Sequence, residues 1–421
     1  MMYTRVALDN GLRVITSAMP HSHSVCLAIL VGAGSCYESA AESGISHFAE
    51  HLFFKGTQQR PTSKQISQDI EGVGGLMNGG TDKELTMFWC KVASPHFAIA
   101  VDVLSDLLLN SRFDNREIER ERRVIGEEIK MGLDLPQQRV NALIDELLWP
   151  AQALGREVVG YQETVSSITR EQLLDYVARR YMPNNTVLSI AGGIAHEQAM
   201  GQIRPLLDQW ATGELKTGYV TDDKQTEARL RIEPRDIEQV HLCLAVHGFS
   251  HSHPQRFVLD LLNTALGGGM SSRLFEEIRE QRGLAYDIHS YTEHFMHGGS
   301  FAVYAGVDPQ KTETAVGAIL EQLSHVKQGI TDSELARAKE LSKGRLHLRL
   351  EDSRNVALWH GGQELLTERI FTIDEVVSIV DAISLEELRA VADQTLVGSG
   401  LNLAITGPVK EEAPLRQRLS V

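Results

Sequence analysis

The chain has 421 residues, 42% of them hydrophobic and 23% charged, and a formal net charge of −15. That length exceeds one ordinary core and points to two domains of about 200 residues each. The composition is that of a globular protein, and the acidic balance excludes a binder that tracks nucleic-acid phosphates, which needs a basic face.

Residues 3–18 predict a hairpin: two β-rich runs, TRVAL and LRVIT, flank Asp9-Asn10-Gly11, and Asn-Gly is the strongest short turn signal. The apolar run 25–33 predicts a buried strand, 45–54 a helix free of proline and glycine, and 81–93 another strand. Helices are expected over 96–110, 114–132 and about 137–149, and a strand over 186–193. The stretch 213–235 is polar and loses apolar periodicity over most of its length, which marks a linker. The pattern then restarts. VHLCLAVHGFS (240–250) matches VCLAILVGAGS (25–35) at four of eleven positions, at an offset of 215, and long charged helices follow near 310–350. The expected fold is α+β: two homologous modules, 1–212 and 236–421, each a mainly antiparallel sheet packed with helices.

The four cysteines, Cys26, Cys36, Cys90 and Cys243, form no CxxC pair and read as free thiols in a reducing compartment. The N-terminal residues lack the marks of a signal or transit peptide. No stretch approaches the roughly 18 apolar residues of a membrane span. A cytoplasmic prokaryotic protein with no membrane or nucleic-acid partner is the expectation.

The sharpest chemical signal is His47-Phe48-Ala49-Glu50-His51. Residues four apart share a helix face, so both imidazoles can reach one ion. Zn²⁺ takes neutral imidazole, usually with three protein ligands in a catalytic site. Glu50 lies on the same side and can act as general base toward a water, the HxxEH arrangement. The competing reading is two solvated histidines. Against it, Ile45, Phe48, Leu52, Phe53 and Phe54 surround the three polar residues, and buried histidine and glutamate need partners. A third ligand must come from elsewhere. In 115–131, Ile118, Val124, Ile125 and Ile129 define an apolar stripe, and Glu121 and Glu128 fall inside it. Glu128 is preferred as ligand and Glu121 as its support, with a buried Glu–Arg pair as the alternative. Arg120, Arg122, Arg123, Glu127 and Lys130 read as a solvated face. His21/His23 and His247/His251/His253 lie in loop-like segments and read as ordinary histidines. The glycine run 267–269 is no phosphate loop, because no GK[ST] follows.

These residues resemble the pitrilysin family of metallopeptidases, and the resemblance runs along most of the chain. HFAEHLFFKGT (47–57) is similar to the family's zinc helix and ERRVIGEEI (121–129) to its distal segment. This implies one Zn²⁺ per chain, held by His47, His51 and Glu128, with Glu50 as base and Glu121 in support. GGLMNGGTDKELTMFW (74–89) resembles the strand that pairs with an extended peptide, which implies substrate contacts from Leu76, Met77, Asn78, Gly79, Gly80 and Thr81. Gly79 stands where the family often has alanine. GGGMSSRLFEEIREQRGLAYDI (267–288) resembles the C-terminal signature and implies that Arg279 and Tyr286 reach the substrate from the opposite half. Without the resemblance these two read as a surface arginine and a core tyrosine. Adding 215 to the metal positions gives Leu262, Ala265 and Leu266, and Glu128 maps near Lys343, so the second half has no equivalent ligands. Two modules in one chain resemble the branch of mitochondrial processing peptidase and its bacterial relatives. That implies a homodimer, or a heterodimer with a specialised partner, closing a chamber around peptides and unfolded segments. The expected function is a zinc-dependent endopeptidase. The alternative is a non-catalytic core or scaffold subunit, or one half of a heterodimeric peptidase.

Overall fold

The computed structural model describes residues 3–419 except 216, 217 and 223. The chain forms two compact units, each built on one sheet.

The first unit comprises residues 1–130, 157–219 and 347–373. Its strands are β1 (Thr4–Ala7), β2 (Arg13–Ala18), β3 (Ser24–Val31), β4 (Leu76–Thr81), β5 (Thr86–Ala93) and β6 (Thr186–Gly192), in the order β1-β2-β6-β3-β5-β4. The expected hairpin is β1–β2, and Gly11 takes the positive φ of 83° that its turn requires. β3 is buried at every residue after the first, which explains its near-continuous apolar run. The strand expected over 81–93 starts only at Thr86, as β5, and residues 82–85 turn the chain back from β4. Asp82 makes the turn, its N–H donating to Leu85 O at 2.8 Å and its side chain accepting from Lys83 N at 2.7 Å. Helix Ser63–Glu71, which the sequence reading passed over, starts on a Thr62–Gln65 capping box.

The two faces of this sheet are covered differently. Val14, Leu188 and Ile190 belong to the main core with Phe48, Phe53, Phe88, Phe97 and Tyr176. Their neighbours Ile15 and Val187 turn to the other face and pack with Ile370. Helix Ser353–Thr367 lies there against β3 and β6. His360 Nδ1 and Ser17 Oγ are 2.7 Å apart, and Glu364 accepts from Arg5 at 2.7 Å.

The second unit comprises residues 131–156, 220–346 and 374–421. Its strands are β7 (Arg229–Pro234), β8 (Val240–His247), β9 (Ala285–Phe295), β10 (Gly298–Val307) and β11 (Asn402–Gly407), ordered β7-β11-β8-β10-β9. Helices Arg256–Gly267, Thr312–Gln328 and Leu385–Thr395 build the core on one face. Helix Pro136–Leu148 packs on β8 and β11.

The repeat is borne out strand by strand. Setting β2, β6, β3, β5 and β4 beside β7, β11, β8, β10 and β9 gives the same order, with a parallel first pair and antiparallel pairs after it. The paired residues Leu30 and Val187 of β3 and β6 recur as Ala245 and Asn402 of β8 and β11, in both cases 215 residues later.

The linear division into 1–212 and 236–421 holds every strand but β7, and it misplaces two of the helices that cover the sheets. Helix Pro136–Leu148 belongs to the second unit and helix Ser353–Thr367 to the first. The linker expectation also needs correction at its end. Residues 229–234 form β7, parallel to β11: Leu230 and Ile232 pack on the second core, while Arg229 and Arg231 bond to Leu147 O and the Glu146 carboxylate of helix Pro136–Leu148. All four cysteines are buried and free. No helix among the described residues is long and apolar enough to cross a membrane.

The contact of helix Ser353–Thr367 with its sheet is tight. A Cβ on Gly361 would lie 2.4 Å from a Leu30 methyl and 2.9 Å from Ser189 Cβ. Gly361→Val is expected to cost about 1–3 kcal/mol through overpacking, read as a lower urea midpoint by circular dichroism.

Candidate metal centre

The histidines are set by helix Ile45–Phe53. Ile45, Phe48, Ala49, Leu52 and Phe53 bury one face in the first core. The N-terminus starts at Gly44, φ 93°, where a Cβ would meet Val159 O at 2.7 Å. Glu38 caps it from the preceding loop, its two carboxylate oxygens accepting from Gly44 N and Ser46 N at 2.9 Å each. His47 and His51 then project together, ring centroids 4.5 Å apart.

Helix Asn115–Asp134 faces them, held by buried Ile118, Ile125 and Ile129. Val124, assigned to the same stripe by periodicity, is 40% exposed. Arg122, assigned to the solvated face, is partly buried and donates to Val165 O and, at 2.8 Å, to Ile168 O. It thus satisfies backbone acceptors at the end of helix Gln162–Ser167. Glu121 and Glu128 both turn toward the histidines. Glu121, with its side chain 3% exposed, accepts from His51 Nδ1 at 3.1 Å and from Lys55 Nζ at 2.9 Å. Its partners are therefore a histidine and a lysine, not an arginine.

Glu128 Oε2 lies 3.8 Å from His47 Nε2 and 3.6 Å from His51 Nε2. These gaps are too long for hydrogen bonds. They are close to the roughly 3.4 Å between donors that share one tetrahedral ion at about 2.0–2.1 Å. Burial, together with the neighbouring His51, lowers His47 to about 4, so its ring is neutral, the form that binds metal. His47 Nδ1 is also buried without a hydrogen-bond partner. Burial opposes charge on His51, but the Glu121 hydrogen bond and the carboxylates of Glu50 and Glu128 outweigh it and raise its pKa. On Glu121 burial is likewise outweighed by His51 and Lys55, and the carboxyl is lowered. The donor set of two imidazoles and one carboxylate suits zinc.

Glu50 is buried on the same helix, and burial raises it to about 7 against the pull of His51. His47, Glu50 and His51 place donor atoms within 4.8 Å of one another, the one such group of three among the described residues. The Glu50 carboxyl lies against β4: a Cβ on Gly79 would sit 2.5 Å from Glu50 Oε1 and 2.8 Å from the Phe54 ring. β4, which carries Leu76, Met77, Asn78, Gly79, Gly80 and Thr81, is the outermost strand of its sheet. Leu76 is 63% exposed, and Asn78 Oδ1 accepts from Gly79 N at 2.9 Å.

Arg279 and Tyr286 belong to the second unit and meet each other there. The guanidinium lies 5.3 Å from the Tyr286 ring centroid and 4.8 Å from that of Phe275. Tyr286 is 75% exposed, so it is no core tyrosine. At the positions equivalent to the metal residues, Leu262, Ala265 and Leu266 are buried in the second core. Lys343 pairs with Asp381 and Glu340 at 2.7 Å. Two site residues escaped the sequence reading. Lys55 had a usable signal, since it follows His51 by four residues and shares its side of the chain. Glu38 had none, because it acts across a loop.

The chain matches the family described as Insulinase (Peptidase family M16) over residues 13–161 and the Peptidase M16 inactive domain over 167–342. An uncharacterized zinc protease of Bacillus subtilis is 34% identical over 408 residues, covering 97% of this chain and 98% of the relative. An uncharacterized zinc protease of Streptomyces coelicolor is 34% identical over 421 residues, covering 98% and 91%. In solved structures, the same fold occurs in a protease from Helicobacter pylori (TM-score 0.91, 20% identity, 97% of this chain and 99% of that one). It also occurs in a chain of complex III2 from Candida albicans (TM-score 0.85, 16% identity, 99% and 100%). The protein is a member of the M16, or pitrilysin, family of zinc proteases in its two-module form.

Glu38→Ala would strip the helix of both cap acceptors. It is expected to cost about 1 kcal/mol, read as a lower melting temperature.

Proposed function

We propose that this protein is a zinc-dependent endopeptidase acting on extended peptides or unfolded segments. The observation that carries this reading is the approach of His47 Nε2 and His51 Nε2 to one oxygen of Glu128, with Glu50 on the histidine helix and an edge strand against it. His47, His51 and Glu128 would hold one zinc ion, which when bound polarises the scissile carbonyl and makes a water acidic. Glu50 takes the proton of the attacking water and later delivers it to the leaving amine. Glu121 keeps His51 oriented. The peptide lies along residues 76–81 as an added strand, so backbone hydrogen bonds supply affinity and side chains supply selectivity. Arg279 and Tyr286 serve the substrate from the second module, the guanidinium holding a carbonyl or carboxylate and the phenol donating to the developing oxyanion. Their exposure supports this use, since neither is committed to the core. Two such chains close the chamber as a homodimer in the cytoplasm. A non-catalytic scaffold would have no use for a carboxyl buried between two histidines and an edge-strand glycine.

Glu50→Gln preserves shape and removes the proton acceptor. Cleavage of an unstructured peptide is expected to fall by roughly 10²–10⁴-fold, while about one zinc per chain remains by atomic absorption. Undiminished cleavage would sink the mechanism. Glu128→Gln should instead lose the metal on dialysis, and wild-type zinc content with full activity would refute its role as a ligand.

A further inference from the structure

Lys55 lies outside the HxxEH motif and the distal glutamate pair, yet it is the second partner of the most deeply buried carboxylate at the centre. Its ammonium is 2.9 Å from Glu121 Oε1, while Glu121 Oε2 meets His51 Nδ1 at 3.1 Å. With so little of Glu121 reaching solvent, each of its oxygens depends on a protein partner. The backbone that carries Lys55 is fixed on both sides. Lys55 N donates to Leu52 O at 3.0 Å, and Gly56 O accepts from Arg112 N at 3.1 Å. Gly56 has φ 136°, and a Cβ there would lie 2.5 Å from Pro61 O, so the turn admits only glycine. Lys55 also follows the C-terminus of helix Ile45–Phe53, where the helix dipole favours a cation.

We infer that Lys55 is a positioning residue of the metal centre: by holding Glu121 Oε1 it fixes Oε2 on His51 Nδ1, which turns His51 Nε2 toward Glu128. This rests on the reading of His51 and Glu128 as zinc ligands. A carboxylate held at one oxygen swings about its last torsion and lets the imidazole follow. Held at both oxygens, its plane is set, and so is the ring it orients. A cavity of about 230 Å³ borders Lys55, lined also by Leu52, Pro61, Thr62, Arg112 and Phe113. The longer arginine therefore has room, which makes the conservative variant informative.

The test is a double-mutant cycle on zinc affinity in the full chain, measured by chelator competition. Lys55→Met is expected to bind zinc about 10–100-fold more weakly, and Lys55→Arg to restore most of the loss. Because Lys55 works through Glu121, adding Lys55→Met to Glu121→Gln should weaken binding by less than about twofold more. With cobalt(II) in place of zinc, the visible absorption bands should shift in Lys55→Met and return in Lys55→Arg. If circular dichroism shows Lys55→Met unfolded, Lys55→Gln takes its place in the cycle. Wild-type zinc affinity in the lysine variant, or losses that add fully to those of Glu121→Gln, would overturn the inference. Wild-type affinity in His51→Gln and Glu128→Gln as well would overturn the ligand reading beneath it.

Discussion

A carboxylate almost sealed from water, Glu121, is the interaction on which the centre depends. Burying such a group is unfavourable unless both oxygens are matched, and here they are matched from the other helix, by His51 and by Lys55 just beyond it. That requirement ties helix Ile45–Phe53 to helix Asn115–Asp134 at one point. Two turns further along the second helix, Glu128 is carried to within 4 Å of both imidazoles. One electrostatic constraint thus sets the spacing of ligands from two separate stretches of chain.

The repeat shows how much of this belongs to the scaffold and how much to chemistry. The two sheets share strand order and pairing sense. Where the first unit places His47, Glu50 and His51, the second places Leu262, Ala265 and Leu266 in its core. Apolar residues at these positions are self-sufficient, whereas the polar trio needs an external partner to justify its burial. The same fold therefore supports a site in one half and a plain core in the other.

Much of this was legible beforehand. The 3.6-residue period places Glu121 and Glu128 on the core side of their helix, and four-residue spacing pairs the histidines. The same period misplaces Val124 and Arg122, because it gives the direction of a face and not its width. The strand expected over 81–93 absorbs the turn at 82–85, since only four residues separate Thr81 at the end of β4 from Thr86 at the start of β5. β7 hides in the polar linker because Leu230 and Ile232 alternate with charged residues. Lys55 and Glu38 act through contacts whose partners lie across loops or on another helix, where no local pattern reports them. The reciprocal exchange of helices is invisible for a similar reason: periodicity says which face of a helix is apolar, not which sheet will cover it.

That exchange bears on how the protein is made. The first sheet has strands from residues 4–192, but the helix on its second face is residues 353–367. A nascent chain that has delivered every strand of the metal-bearing half still shows one bare apolar face until more than 150 further residues have left the ribosome. Domains ordinarily fold in the order they are synthesised. Here the earlier half waits for the later one, so neither can mature alone, and chaperones have a long interval in which to meet the unfinished sheet.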